Sequence, residues 1–154
     1  MPLAAAYLLE STGAPPPDTT IMTPAGIART IVLRHAPPDN VVFAEVAFDS
    51  SAFQTAPGRE VQVRVTPTPG AYGLTVRTSV PFTSAQVTFA YPVHFFAPGG
   101  ARTRYGSDLR VESALAIARL DGDTVTFLPS IRPATDHLST SVASAGTYVV
   151  AVPR

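Results

Sequence analysis

The sequence predicts an all-β protein, an antiparallel sandwich of about nine strands, and three observations carry the prediction. First, residues 60–91 hold three alternating segments in succession: Val61, Val63 and Val65; then Leu74, Val76, Thr78 and Val80; then Val87, Phe89 and Tyr91. Alternation at every second residue sends one set of side chains to one face of a strand. Second, Pro67, Pro69, Gly70, Gly73 and Pro81 stand between these segments, and such residues punctuate strands with turns. Third, 45% of the chain is hydrophobic and only 14% charged, with 16 prolines and 10 glycines, so core material is ample and connections are many. That profile favours strands over helices.

Taken in order, the chain opens on the apolar run Met1 to Leu9, which reads as a first strand or docked arm. Ser11 to Asp18 comes next with Gly13 and Pro15-Pro16-Pro17, a linker or an extended edge, because proline has no N–H to give a ladder. Residues 1–18 are thus assigned to an arm and linker, and residues 19–154 to the sandwich. Ile27 to Arg34 is rich in β-branched residues, with Ile31 and Leu33 on one face, and Pro37-Pro38-Asp39-Asn40 turns the chain. Val42, Ala44, Val46 and Phe48 alternate with Val41, Phe43, Glu45 and Ala47, which makes this segment apolar on both faces in its first half and a candidate central strand. After Tyr91 comes an irregular stretch from Pro92 to Asp108. Residues 109–120 fit either a strand, through Val111, Leu115 and Ile117, or a helix beginning at Asp108. The strand is favoured, because Asp121-Gly122-Asp123 makes a hairpin turn and residues 124–128 a returning partner. Residues 138–142, a Ser144-Ala145-Gly146 turn and residues 147–152 close the domain.

The composition excludes several classes of function. Eleven basic and 11 acidic residues leave a formal net charge of zero, which removes the electrostatic footprint of nonspecific nucleic-acid binding. Cysteine is absent, so no disulfide, thiol nucleophile or thiolate-bound metal is available. The N-terminal apolar run lacks a basic start and meets Glu10 well before the ~20 residues a membrane-spanning helix needs. The run is also compatible with a mature N-terminus left by removal of an export signal, and an extracytoplasmic or membrane-peripheral location is expected.

The segments Pro69-Gly70-Ala71-Tyr72-Gly73-Leu74 and Val87-Thr88-Phe89-Ala90-Tyr91, the hairpin of residues 115–129 and the ending His137 to Val152 add a family signal. Their order over residues 60–152 resembles that of bacterial ZU5-like β-sandwich domains, whose closing strand carries a His-x-Ser-x-Tyr-like sequence; here a longer stretch separates His137-Leu138-Ser139 from Tyr148. The resemblance implies a ZU5-like or immunoglobulin-like sandwich acting as a structural or interaction module without a catalytic site.

No catalytic constellation stands out. His35, His94 and His137 lie far apart with no ligand-pair spacing, and they read as solvent-facing or locally hydrogen-bonded residues. Asp136 and His137 are adjacent, and on a continuous strand their side chains point to opposite faces, which disfavours a triad with Ser139. Asp121-Gly122-Asp123 reads as a turn before a cation site. Nucleotide-binding glycine loops and nucleophile elbows are missing. No cofactor is expected. The irregular stretch is different: His94, Phe95, Phe96, Arg102, Arg104 and Tyr105 combine aromatic and Arg side chains around Gly99-Gly100, a composition enriched at interface hot spots. These six residues form the candidate partner-binding site. The expected function is that of a noncatalytic accessory subunit docking onto a larger protein assembly, including the surface of a membrane complex. The alternatives are an exported cell-surface or carbohydrate-binding module and a small hydrolase with its site at the strand ends.

Overall fold

A computed structural model describes residues 1–92 and 97–154. Two antiparallel sheets pack face to face, one of seven strands and one of four, so the described residues hold eleven strands where about nine were expected. The larger sheet runs β2 (Thr19–Pro24), β5 (Glu60–Pro67), β6 (Gly73–Thr78), β11 (Gly146–Pro153), β8 (Ala116–Asp121) and β9 (Thr124–Phe127). Its seventh strand, β1 (Ala6–Leu8), comes after a single 3-10 turn and pairs with β11. The smaller sheet runs β10 (His137–Val142), β7 (Ala85–Ala90), β4 (Val42–Phe48) and β3 (Arg29–Arg34).

The alternation seen in the sequence is the alternation of burial. Val61, Val63, Val65, Leu74, Val76, Val87 and Phe89 are all fully buried, and their intervening partners face outward or sit at half-buried positions. β4 lies between β3 and β7, as its apolar first half predicts, with Phe43, Ala44, Val46 and Phe48 in the core. Two aromatic groups plug the two ends of the sandwich. Phe43, Tyr72 and Phe89 pack with His35 at one end, and Phe48, Phe53 and Phe82 at the other.

β11 organises the larger sheet. One of its edges pairs with β8 from Thr147 to Ala151; the other pairs with β6 as far as Val149 and then with β1. At the changeover Val150 N–H donates to Tyr72 O and Leu9 N–H to Val150 O, each at 2.8 Å, and Tyr72 N–H donates to Leu9 O at 2.9 Å. Three segments thus satisfy each other's backbone where β1 replaces β6.

The connection from β7 to β8 carries two short helices, α1 (Gly99–Tyr105) and α2 (Asp108–Ala114). This corrects two expectations. The stretch after Tyr91 is not irregular throughout, and residues 109–120 are neither one strand nor one helix: α2 takes the first half and β8 the second. The physical reason is capping. Ser107 Oγ accepts from Arg110 N–H at 3.3 Å and Asp108 sits in the first turn, both favourable to a helix start. The Asp121-Gly122-Asp123 hairpin is as expected, with Gly122 at φ +58° in the loop position where a two-residue hairpin connection needs a positive φ. One strand escaped sequence reading altogether, the edge strand β2.

Candidate functional site

All four strands of the smaller sheet bring an end to the same pole. β3 finishes there at Arg34, β4 begins at Val42, β7 finishes at Ala90 and β10 begins at His137. Across these ends, and walled by Tyr72 from the approach to β6 in the facing sheet, lies a cleft of about 480 Å³ whose lining includes His35, Val42, Ala90, Tyr91 and His137.

His35 comes just after β3 and is buried edge-on against the rings of Phe43 and Tyr72, with centroids 5.2 and 6.3 Å away. His137 opens β10, and its Nδ1 lies 2.7 Å from Asp136 Oδ1, each side chain being about one-third exposed (35% and 34%). The expectation that these neighbours point apart is therefore overturned. Asp136 belongs to the turn before β10, where Tyr91 N–H donates to Asp136 O and His137 N–H to Ala134 O, so strand alternation does not reach it. Ser139 Oγ is 2.8 Å from Thr88 Oγ1 across the ladder, a half-buried inter-strand contact.

His35 and His137 share the cleft from its two outer strands. Three strand spacings of about 4.8 Å separate the backbones of those strands by roughly 14 Å. Among the described residues no group of three or more His, Cys, Asp or Glu side chains is placed to bind a metal. Asp121 is engaged by Arg119, whose Nε lies 3.0 Å from its Oδ2.

The helical cap sits beside this cleft and is fastened from below. Ala101 and Val111 are fully buried, and Tyr105 donates its hydroxyl to Pro153 O at 2.8 Å. Gly100 lets α1 lie against the Tyr7 ring, since a Cβ there would stand 2.7 Å from Tyr7 Cε1. The same ring carries the Arg154 guanidinium 4.5 Å from its centroid. Arg132 closes the C-terminal end of α2 by donating to Leu115 O and to Glu112 O, which also accepts the Leu115 N–H. Tyr91 joins cap and cleft: its hydroxyl shares one proton between Glu112 Oε1 at 3.2 Å and Thr135 O at 3.1 Å, and accepts from Arg132 Nη1 at 3.4 Å. Burial, reinforced by the charge of Glu112 and opposed by that of Arg132, pushes this phenol up to about 12.

The six residues singled out by composition separate in the structure. His94, Phe95 and Phe96 lie outside the described residues. Arg102 and Arg104 are exposed on α1, with Arg102 Nε 3.8 Å from Asp108 Oδ1. Tyr105 turns inward as an anchor of the cap. Sequence reading missed Leu109, 72% exposed at the start of α2, and the neighbouring exposed Arg110. Both were absorbed into an expected strand; the Ser-Asp pair at 107–108 is the signal that marks them as first-turn helix residues. No helix among the described residues is long and apolar enough to cross a membrane. No family model, no curated protein and no solved structure matches this chain.

Proposed function

We propose that the chain is a noncatalytic β-sandwich that docks onto a protein partner through the outer surface of its α1–α2 cap, as an accessory subunit of a larger assembly. The observation that carries this reading is the exposure of Leu109 on a cap that also exposes Arg102, Arg104 and Arg110 and is clamped beneath by Tyr105, Val111 and Arg132. An apolar knob among guanidinium groups fits an acidic surface with an apolar socket, since Arg is suited to bidentate carboxylate contacts. A clamped cap also lowers the ordering cost of association. An extrinsic position on a membrane complex is one form of this reading.

The test is isolation of the protein from its native source after mild cross-linking, alongside a chain carrying Arg102→Glu, Leu109→Asp and Arg110→Glu. Those three side chains are exposed, so the fold is retained. The expected result is one stoichiometric partner joined to the native chain and lost from the variant. An unchanged set of cross-linked partners overturns the reading.

The cleft favours a second reading, a site for a small ligand or hydrolysable substrate. His137, held through Nδ1 by Asp136, would supply a proton acceptor there. Turnover or ligand binding abolished by His137→Ala, with the cap variant unaffected, would support it over docking.

A further inference from the structure

Five strands pair on one side only, and their unpaired N–H and C=O groups invite pairing with another chain. β1 is only three residues long, and three more are blunted. Along β9, Val125 N–H donates to Met1 O at 2.8 Å and the Met1 ammonium to Val125 O at 3.0 Å. Along β10, Ile131 and Ser139 exchange N–H···O bonds of 2.9 Å in both directions. β3 carries Arg29 and Arg34 at its two ends and a register break between Leu33 and Arg34. β2 carries only a proline at its last position, with no charge, register break or covering segment. It is six uncharged residues, Thr-Thr-Ile-Met-Thr-Pro, in unbroken register with β5, and among the described residues no other backbone group pairs with it.

Its free groups can be assigned. Gln62, opposite Met22, turns its carbonyl toward β6, where it accepts from Ser79 N–H at 2.9 Å. In an antiparallel ladder the residue opposite such a position also points its backbone away from the pair. Met22 and, two residues on either side, Thr20 and Pro24 therefore face outward, while Ala25 bonds inward, its N–H donating to Arg59 O at 2.9 Å. Pro24 lacks an N–H on that outward side, the placement that edge strands tolerate.

We propose that β2 pairs antiparallel with β2 of a second copy of this chain, about a two-fold axis passing beside Ile21, so that the larger sheets run on through the dimer. Self-complementarity selects a second copy as the occupant of this edge. With Ile21 on the axis, Thr20 of each chain lies opposite Met22 of the other, and both outward N–H groups find carbonyl partners, giving four hydrogen bonds across the pair. No like charges oppose: Asp18 falls opposite Pro24 and is already paired with Arg64 at 2.8 Å. Met22, 56% exposed in the single chain, packs across Thr20 of the second copy. One strand edge covers less than the roughly 800 Å² per partner of a standard interface, so the dimer is weak and concentration-dependent.

Sedimentation equilibrium across a wide concentration range tests this, with Thr20→Lys/Met22→Lys and Thr20→Glu/Met22→Glu as paired variants. Both positions are exposed, so the monomer fold is undisturbed. The expected result is a reversible native dimer, at least tenfold weaker dimerisation in each variant alone, and recovery when the two are mixed. In a chain with no cysteine of its own, Ile21→Cys should oxidise to a covalent dimer, because opposed residues in a non-hydrogen-bonded pair stand about 4.5 Å apart, within disulfide reach. Thr30→Cys, exposed on β3, should not. A protein monomeric at every concentration overturns the proposal, and so does a dimer that both charged variants leave intact.

Discussion

Tyr91 and Glu112 meet at the pole of the sandwich, where a 3.2 Å hydrogen bond joins the residue after β7 to α2. The contact makes one structure of the cleft and the cap, since Tyr91 also lines the cleft. Tyr91→Phe keeps the ring in the core and removes the hydroxyl, leaving Thr135 O without this donor. The expected loss is about 0.5–1.5 kcal/mol, the net worth of an ordinary hydrogen bond, because Thr135 is exposed and its carbonyl can turn to water. Urea unfolding should show a lower midpoint with an unchanged slope.

Alkaline pH should destabilise the protein through its buried phenols. Burial raises Tyr72, Tyr91 and Tyr148 in the folded chain, Tyr91 to about 12. A raised folded value means that the folded state holds the proton more tightly than the unfolded state does. The stabilisation is therefore complete below the unfolded value of about 10 and is lost as pH rises through the folded values. Urea midpoints measured from about pH 9 to 12 should fall with rising pH, and Tyr91→Phe should fall less steeply. Equal slopes would show that Tyr91 does not contribute.

The sheet was legible wherever one face of a strand is buried and the other wet, as in Val61, Val63 and Val65 against Gln62 and Arg64. β2 was not, because an edge strand of three threonines ending in proline has little to bury: only Thr23 of its six residues is fully buried. Residues 109–120 misled for another reason. Val111, Leu115 and Ile117 are all buried, but Val111 is buried from a helix and Ile117 from a strand, and the spacing does not record the break between Ala114 and Ala116. The Asp136–His137 contact depends on a turn that ends at Asp136, one residue before β10, a boundary finer than periodicity resolves. At the cap, composition pointed to the right stretch, while the division of its residues into anchors such as Tyr105 and exposed groups such as Arg102 is set by tertiary packing.

Gly73 sits where β6 meets β11, opposite Val149. A Cβ at this position would stand 2.7 Å from Val149 Cγ1 and 2.8 Å from Thr68 Oγ1, closer than packed atoms approach. Gly73→Ala should therefore cost about 1–3 kcal/mol by overpacking. Val149→Ala removes one of the clashing methyls, and the double variant should be more stable than the sum of the two single losses implies. Additive losses would place the strain on Thr68 or on the backbone.

Ser107 decides how the exposed part of the cap is presented, because its hydroxyl oxygen receives the Arg110 N–H at the start of α2. Leu109 and Arg110 occupy that first turn, so their backbone is fixed by the cap residue more than by packing, which α2 supplies through Val111. Ser107→Ala should cost about 1 kcal/mol, and Ser107→Asp, which keeps an acceptor, much less. Hydrogen exchange supplies the local measurement: the Arg110 amide should lose protection in Ser107→Ala while amides of β11 change only as global stability does. If the reading of the cap as a docking surface holds, partner affinity should fall with that protection and return in Ser107→Asp, since a frayed first turn must be ordered again on binding.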